Sequence, residues 1–161
     1  MLFVSTEALT SGFVNSLVGS HTSRTIMLRE LRILLGTCAR HATPEDYRQA
    51  VIDDNVLQKG TVTTRRASLR QLRELYALDP QVLLFRALRD LWDADEDAQP
   101  LLALLCAVAR DPLLRATAET ILSTSPGEAV TPEMLATAVD MAFPGHYKPT
   151  VLHVIGRNTV S

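Results

Sequence analysis

The stretch from Val51 to Leu78, VIDDNVLQKGTVTTRRASLRQLRELYAL, decides how the rest of the chain is read. It carries Lys59, Arg65, Arg66, Arg70 and Arg73, with no acidic residue between Asp54 and Glu74. Wound as a helix at about 100° per residue, it places Arg66, Arg70 and Arg73 on one face, at i, i+4 and i+7. Leu69, Leu72 and Tyr76 form an apolar stripe beside them, and Arg65 reaches out from the helix start. One side of this helix packs, and the other presents a row of guanidinium groups to something anionic. The alternative for such a face is a solvated helix whose arginines meet neighbouring carboxylates.

Working outward, helix punctuation recurs along the chain. Thr43-Pro44-Glu45, Asp79-Pro80-Gln81, Asp111-Pro112 and Thr131-Pro132-Glu133 each set a capping oxygen before a proline at the first helical position. Gln99-Pro100 and Lys148-Pro149 add starts with weaker caps. Strand signals are nearly absent, and no Asn-Gly or Asp-Gly hairpin turn occurs. The pattern predicts an all-α fold of about eight helices, near 23–39, 44–58, 63–78, 80–92, 99–110, 112–123, 132–142 and 149–159. A further turn or short helix is expected in 5–18. Gly60 is expected to close the second helix, so that Gly60-Thr61-Val62-Thr63 forms a short turn into the basic helix. Two helices joined in this way resemble a helix-turn-helix pair, a connection that many helical bundles also use. The first helix carries Thr25, Arg29 and Arg32 at i, i+4, i+7 as a second charged face.

A chain of 161 residues is long enough for one domain with a real core and short for two. A single domain over 1–161 is expected, with a basic part over 1–78 and an acidic part over 79–161. Net charge is −2, yet residues 1–73 hold 10 basic and 6 acidic groups while residues 74–161 hold 6 and 12. Such an uneven field can orient the molecule on a polyanion. Arginine outnumbers lysine 14 to 2, which suits bidentate phosphate contacts. The acidic run Asp93-Ala94-Asp95-Glu96-Asp97 reads as a solvated loop whose charge favours the helix that follows.

Several chemistries lack their residues. Seven scattered glycines build no phosphate-cradling loop. Asp53 and Asp54 are adjacent, so on a helix they point about 100° apart and share no acid–base site. His146 and His153 lack a carboxylate at fixed spacing. Cys38-Ala-Arg-His41 has no second ligand pair, so Cys38 reads as a buried small hydrophobe and no metal or other cofactor is expected. Two distant cysteines make no disulfide framework and suit a reduced cytoplasmic setting. The longest apolar run, Leu101 to Ala109, is far short of the roughly 20 residues that span a bilayer. The first positive side chain is Arg24, so no secretory leader is expected. With eight aromatics, a stacking platform for single strands is poorly supplied, and backbone recognition of double-stranded DNA fits better. A non-enzymatic binding role is expected.

The segments Asn55-Val56-Leu57-Gln58-Lys59, Thr63-Thr64-Arg65-Arg66 and Leu72-Arg73-Glu74-Leu75 resemble the BrxA-like family of accessory proteins in BREX phage-defence systems. The resemblance is sharpest over 51–78 and extends less specifically over 8–35, from Leu9-Thr10-Ser11-Gly12, and over 130–160. It implies an all-helical DNA-binding protein acting alongside a DNA methyltransferase and other defence components. An older description of that family as an inner-membrane protein finds no spanning segment here. Beside the resemblance, the residues themselves make Arg66, Arg70 and Arg73 the expected phosphate contacts. Lys59, Arg65 and the Thr63 and Thr64 hydroxyls assist at the helix N-terminus, and Arg29 and Arg32 offer the second face. The competing expectation is a protein–protein adaptor, docking through its acidic half or through the apolar helix at 100–110.

Overall fold

Threonine and aspartate caps set the starts of four helices. In the computed structural model, which describes residues 4–17 and 26–160, Thr43 and Asp46 form a reciprocal capping box. The Thr43 N–H donates to Asp46 Oδ2 at 2.7 Å, and the Asp46 N–H donates to Thr43 Oγ1 at 3.3 Å. Asp111 Oδ1 accepts from the Leu113 and Leu114 N–H groups, and Thr131 Oγ1 accepts from that of Met134. Thr61 Oγ1 accepts from the Thr64 N–H at 3.1 Å and so starts the basic helix.

The described residues form nine helices and no strand. They are α1 (Thr6–Thr10), α2 (Leu28–Thr37), α3 (Pro44–Ile52), α4 (Val62–Tyr76), α5 (Leu83–Trp92), α6 (Gln99–Arg110), α7 (Pro112–Ser123), α8 (Pro132–Ala142) and α9 (Pro149–Val160). The protein is all-α. The expected start at residue 23, with Arg24 and Thr25, lies outside the described residues, as does His21.

Three boundaries differ from the sequence reading. Helix α2 begins at Leu28 rather than near 23, because Met27 before it takes left-handed backbone at φ 52°. Helix α3 stops at Ile52 rather than near 58, so the link into α4 runs over residues 53–61 in place of a four-residue turn. Asn55 and Gln58 take left-handed backbone there, at φ 52° and 53°, and a helix cannot continue through them. Gly60 is not among the glycines with positive φ and closes nothing. Helix α5 starts at Leu83 rather than 80. Asp79 caps a tight turn instead, accepting from the Gln81 N–H at its side chain and from the Val82 N–H at its carbonyl.

The main core gathers α2 through α6. Leu31, Leu34 and Leu35 of α2 meet Tyr47 and Val51 of α3, Leu69, Leu72 and Tyr76 of α4, and Phe85, Leu88 and Trp92 of α5. Fully burying such a side chain contributes about 1.5–3 kcal/mol. Tyr47 and Phe85 pack edge to face, with ring centroids 5.7 Å apart. Helix α6 turns its small residues Ala103, Cys106 and Ala107 inward with Leu102 beside them, which leaves Leu101, Leu104 and Leu105 on the outer side. A second, smaller cluster joins Leu113 of α7, Val139 of α8 and Ile155 of α9.

Buried and half-buried arginines tie these helices end to side. Four helix C-termini have carbonyls closed by a guanidinium from further along the chain: α2 by Arg89, α3 by Arg65, α4 by Arg110 and α6 by Arg115. The last turn of a helix leaves carbonyls unpaired and carries partial negative charge, so a forked cation suits it twice over. Arg110 also holds the Gly12 carbonyl at 2.7 Å, and Arg115 that of Val14, drawing the N-terminal segment across the α6–α7 junction.

Candidate functional site

Helix α4 is long enough to show two faces. Its buried face is Ser68, Leu69, Leu72, Leu75 and Tyr76, and the Tyr76 hydroxyl donates to the Ile26 carbonyl. Its other face, running from Thr63 through Arg66 and Arg70 to Arg73, borders a cleft of about 460 Å³ between α3, α4 and the end of α6. Arg48 and Ile52 of α3, Leu69 and Glu74 of α4, and Arg110 complete the lining. Five guanidinium groups thus converge on one concavity. A volume of this size lies within the range of small-ligand sites, about 300–1,000 Å³.

The five arginines are not equivalent. Arg66 is exposed and has no ion-pair partner among the described residues. Arg70 has a side chain 66% exposed, and its Nε lies 3.9 Å from Glu74, a loose i,i+4 pair of small energetic consequence. Deeper in, Arg73 donates through Nη2 to the Pro44 carbonyl at 2.9 Å, pinning α4 to the first turn of α3. Arg48 is held by Glu45 at 2.6 Å and Asp53 at 3.0 Å, and the Glu45 hydrogen bond raises its pKa. Arg110 spends its donors on the Glu74, Arg73 and Gly12 carbonyls, and burial pulls its pKa down. Arg66 and Arg70 therefore form a rim with donors to spare, and Arg48, Arg73 and Arg110 form a fixed floor.

The remaining expected contacts fall elsewhere. Arg65 does not point outward: Nη1 donates to the Ile52 carbonyl at 2.9 Å and Nε to the Lys59 carbonyl at 3.3 Å. Lys59 pairs with Glu30 of α2 at 2.9 Å, where both side chains are mostly covered. These two residues hold α4 in place. Thr63 is exposed on the first turn, and the Thr64 hydroxyl is 2.8 Å from that of Thr61. Arg29 and Arg32 are exposed on α2, and Arg32 donates through Nε to Gln99 Oε1 at 3.0 Å. Neither lines the cleft.

Sequence reading missed Arg48 and Arg110, because both arrive from other helices. The signal that pointed to Arg110 was an arginine ending an apolar run directly before a capping aspartate. Among the described residues no group of three or more His, Cys, Asp or Glu side chains could hold a metal ion, and no helix is long and apolar enough to cross a membrane. Cys38 is half-buried, with its carbonyl taken by Arg89, and His41 is exposed.

Comparison with protein-family models, with curated proteins and with solved structures gives no match for this chain. The residues and their geometry carry the functional reading.

Proposed function

We propose that this protein is a non-enzymatic DNA-binding accessory protein that engages the duplex backbone through the arginine face of α4. The observation that supports this is the convergence of Arg66, Arg70 and Arg73 on one cleft, with Arg66 and Arg70 at its rim. Duplex DNA carries one charge per roughly 1.7 Å of axis, and guanidinium groups meet phosphate oxygens bidentately. The N-terminus of α4 lies on the same face through Thr63, and its unpaired N–H groups and partial positive charge favour the same ligand. Arg29 and Arg32 supply a second, separate basic surface on α2. On the resemblance of residues 51–78 to BrxA-like proteins, we further propose that this binding serves a BREX-type phage-defence system in the cytoplasm, with other defence proteins as partners. Titration of duplexes of unrelated sequence by anisotropy over a salt series tests the reading. Affinity that falls with salt and is indifferent to sequence supports it, and no binding at low salt removes it.

A second reading has its own observation. Leu101, Leu104 and Leu105 share the outer face of α6 and are 58%, 41% and 58% exposed. An apolar stripe at i, i+3, i+4 on a surface helix suits a protein partner. The chain would then act as an adaptor within a defence complex without touching nucleic acid.

A further inference from the structure

The cleft is small for the face of a duplex. A cube of 460 Å³ is about 8 Å on a side, narrower than the roughly 12 Å major groove alone. A duplex rod can rest on the rim arginines and cannot enter. What can enter is a single phosphate group. The five guanidinium groups of the cleft stand against three carboxylates, Glu45, Asp53 and Glu74, which leaves a formal surplus of two positive charges. An internal phosphodiester carries one negative charge, whereas a phosphate monoester carries about −1.5 to −2 at neutral pH with three acceptor oxygens.

Donors for it are in place at the floor. A guanidinium offers five N–H groups. Arg73 spends one of them on the Pro44 carbonyl, and Arg48 uses Nε and Nη2 on Glu45 and Asp53. The Arg73 anchor to α3 and the two Arg48 ion pairs hold these groups in position before any ligand arrives. That lowers the ordering cost of binding.

Resting on the nucleic-acid reading, we infer that the floor of this cleft takes the terminal phosphate monoester of a DNA strand, while Arg66 and Arg70 contact the adjoining backbone. The protein then prefers phosphorylated duplex ends to uninterrupted duplex.

The test compares blunt duplexes of one sequence bearing a 5′-phosphate, a 3′-phosphate or only hydroxyl termini, together with a covalently closed circle. A terminal phosphate on either strand end should tighten binding by about tenfold. Arg48→Gln should bring that ratio towards one, whereas Arg66→Ala with Arg70→Ala should weaken phosphorylated and hydroxyl-ended duplexes alike and leave the ratio standing. Inorganic phosphate should compete away the preference, and failure to do so would overturn the monoester site. Equal affinity for phosphorylated, hydroxyl-ended and closed duplexes overturns the inference and leaves backbone binding standing. Tight binding of inorganic phosphate with no duplex binding overturns both and makes the cleft a site for a free phosphorylated ligand.

Discussion

Arg65 Nη1 donates to the carbonyl of Ile52 at 2.9 Å, so an arginine at the start of α4 closes the end of α3. A residue that sequence spacing places among the phosphate contacts is thereby a strut of the fold. It fixes the angle at which α4 presents Arg66 and Arg70.

Arg65→Ala should therefore lower stability, by about 1–3 kcal/mol, because it strips a charged donor from a half-buried helix end. Denaturant unfolding followed by circular dichroism measures this. The salt dependence of DNA binding by the remaining folded protein should stay as in the parent. A variant of unchanged stability and reduced salt dependence would reassign Arg65 to the binding surface.

Glu30 and Lys59 supply a pH dependence. Burial raises the Glu30 pKa, but the Lys59 hydrogen bond, a backbone hydrogen bond and the charges of Lys59 and Arg29 together outweigh it, and the net value lies below the ordinary 4.5. A carboxylate whose pKa is lower folded than unfolded stabilises the fold above its unfolded value and loses that contribution as pH falls through its folded value. Unfolding midpoints measured from about pH 6 down to about pH 3 should drop less steeply in Glu30→Gln than in the parent. Parallel profiles would show that the pair contributes nothing.

Gly156 sits where α9 crosses the start of α8. A Cβ there would stand 2.1 Å from the Pro132 carbonyl oxygen, a backbone atom that cannot swing aside. Gly156→Ala should force the two helices apart at a cost of about 1–3 kcal/mol or more. The small cluster of Leu113, Val139 and Ile155 is separate from the main core, so the damage should be local. Amide exchange should quicken across Pro132–Ala142 and Pro149–Val160 while α4 keeps its protection.

How much was legible follows from where the information resides. Helices α6, α7 and α8 begin and end where the sequence places them, because Pro100, Pro112 and Pro132 and the caps Asp111 and Thr131 act locally. The end of α3 was not legible. It depends on left-handed Asn55 and Gln58 and on an arginine thirteen residues further along, none of which leaves a mark in periodicity. The face of α4 could be read from i, i+4, i+7 spacing, and Arg66, Arg70 and Arg73 do line one cleft. Which basic residues of this stretch are spare could not, since Arg73, Arg65 and Lys59 find their partners on α2, α3 and the loop before α4. The excess of arginine over lysine has a use within the fold that composition does not reveal. Arg65, Arg89, Arg110 and Arg115 serve helix ends as well as charge.

The most direct test of backbone binding is the salt slope of a rim variant. Arg66 and Arg70 are exposed, so Arg66→Ala with Arg70→Ala should shift stability by no more than about 0.5 kcal/mol. If each releases counterions from the duplex, the slope of log affinity against log salt should fall by about 0.9 per contact, or roughly 2 in all, and equally for unrelated sequences. Anisotropy titrations of parent and double variant at several salt concentrations give that number. A slope reduced by roughly 2 in a fully folded variant is the predicted result. An unchanged slope in a fully folded variant would contradict the account and move the exposed leucine face of α6 to the front.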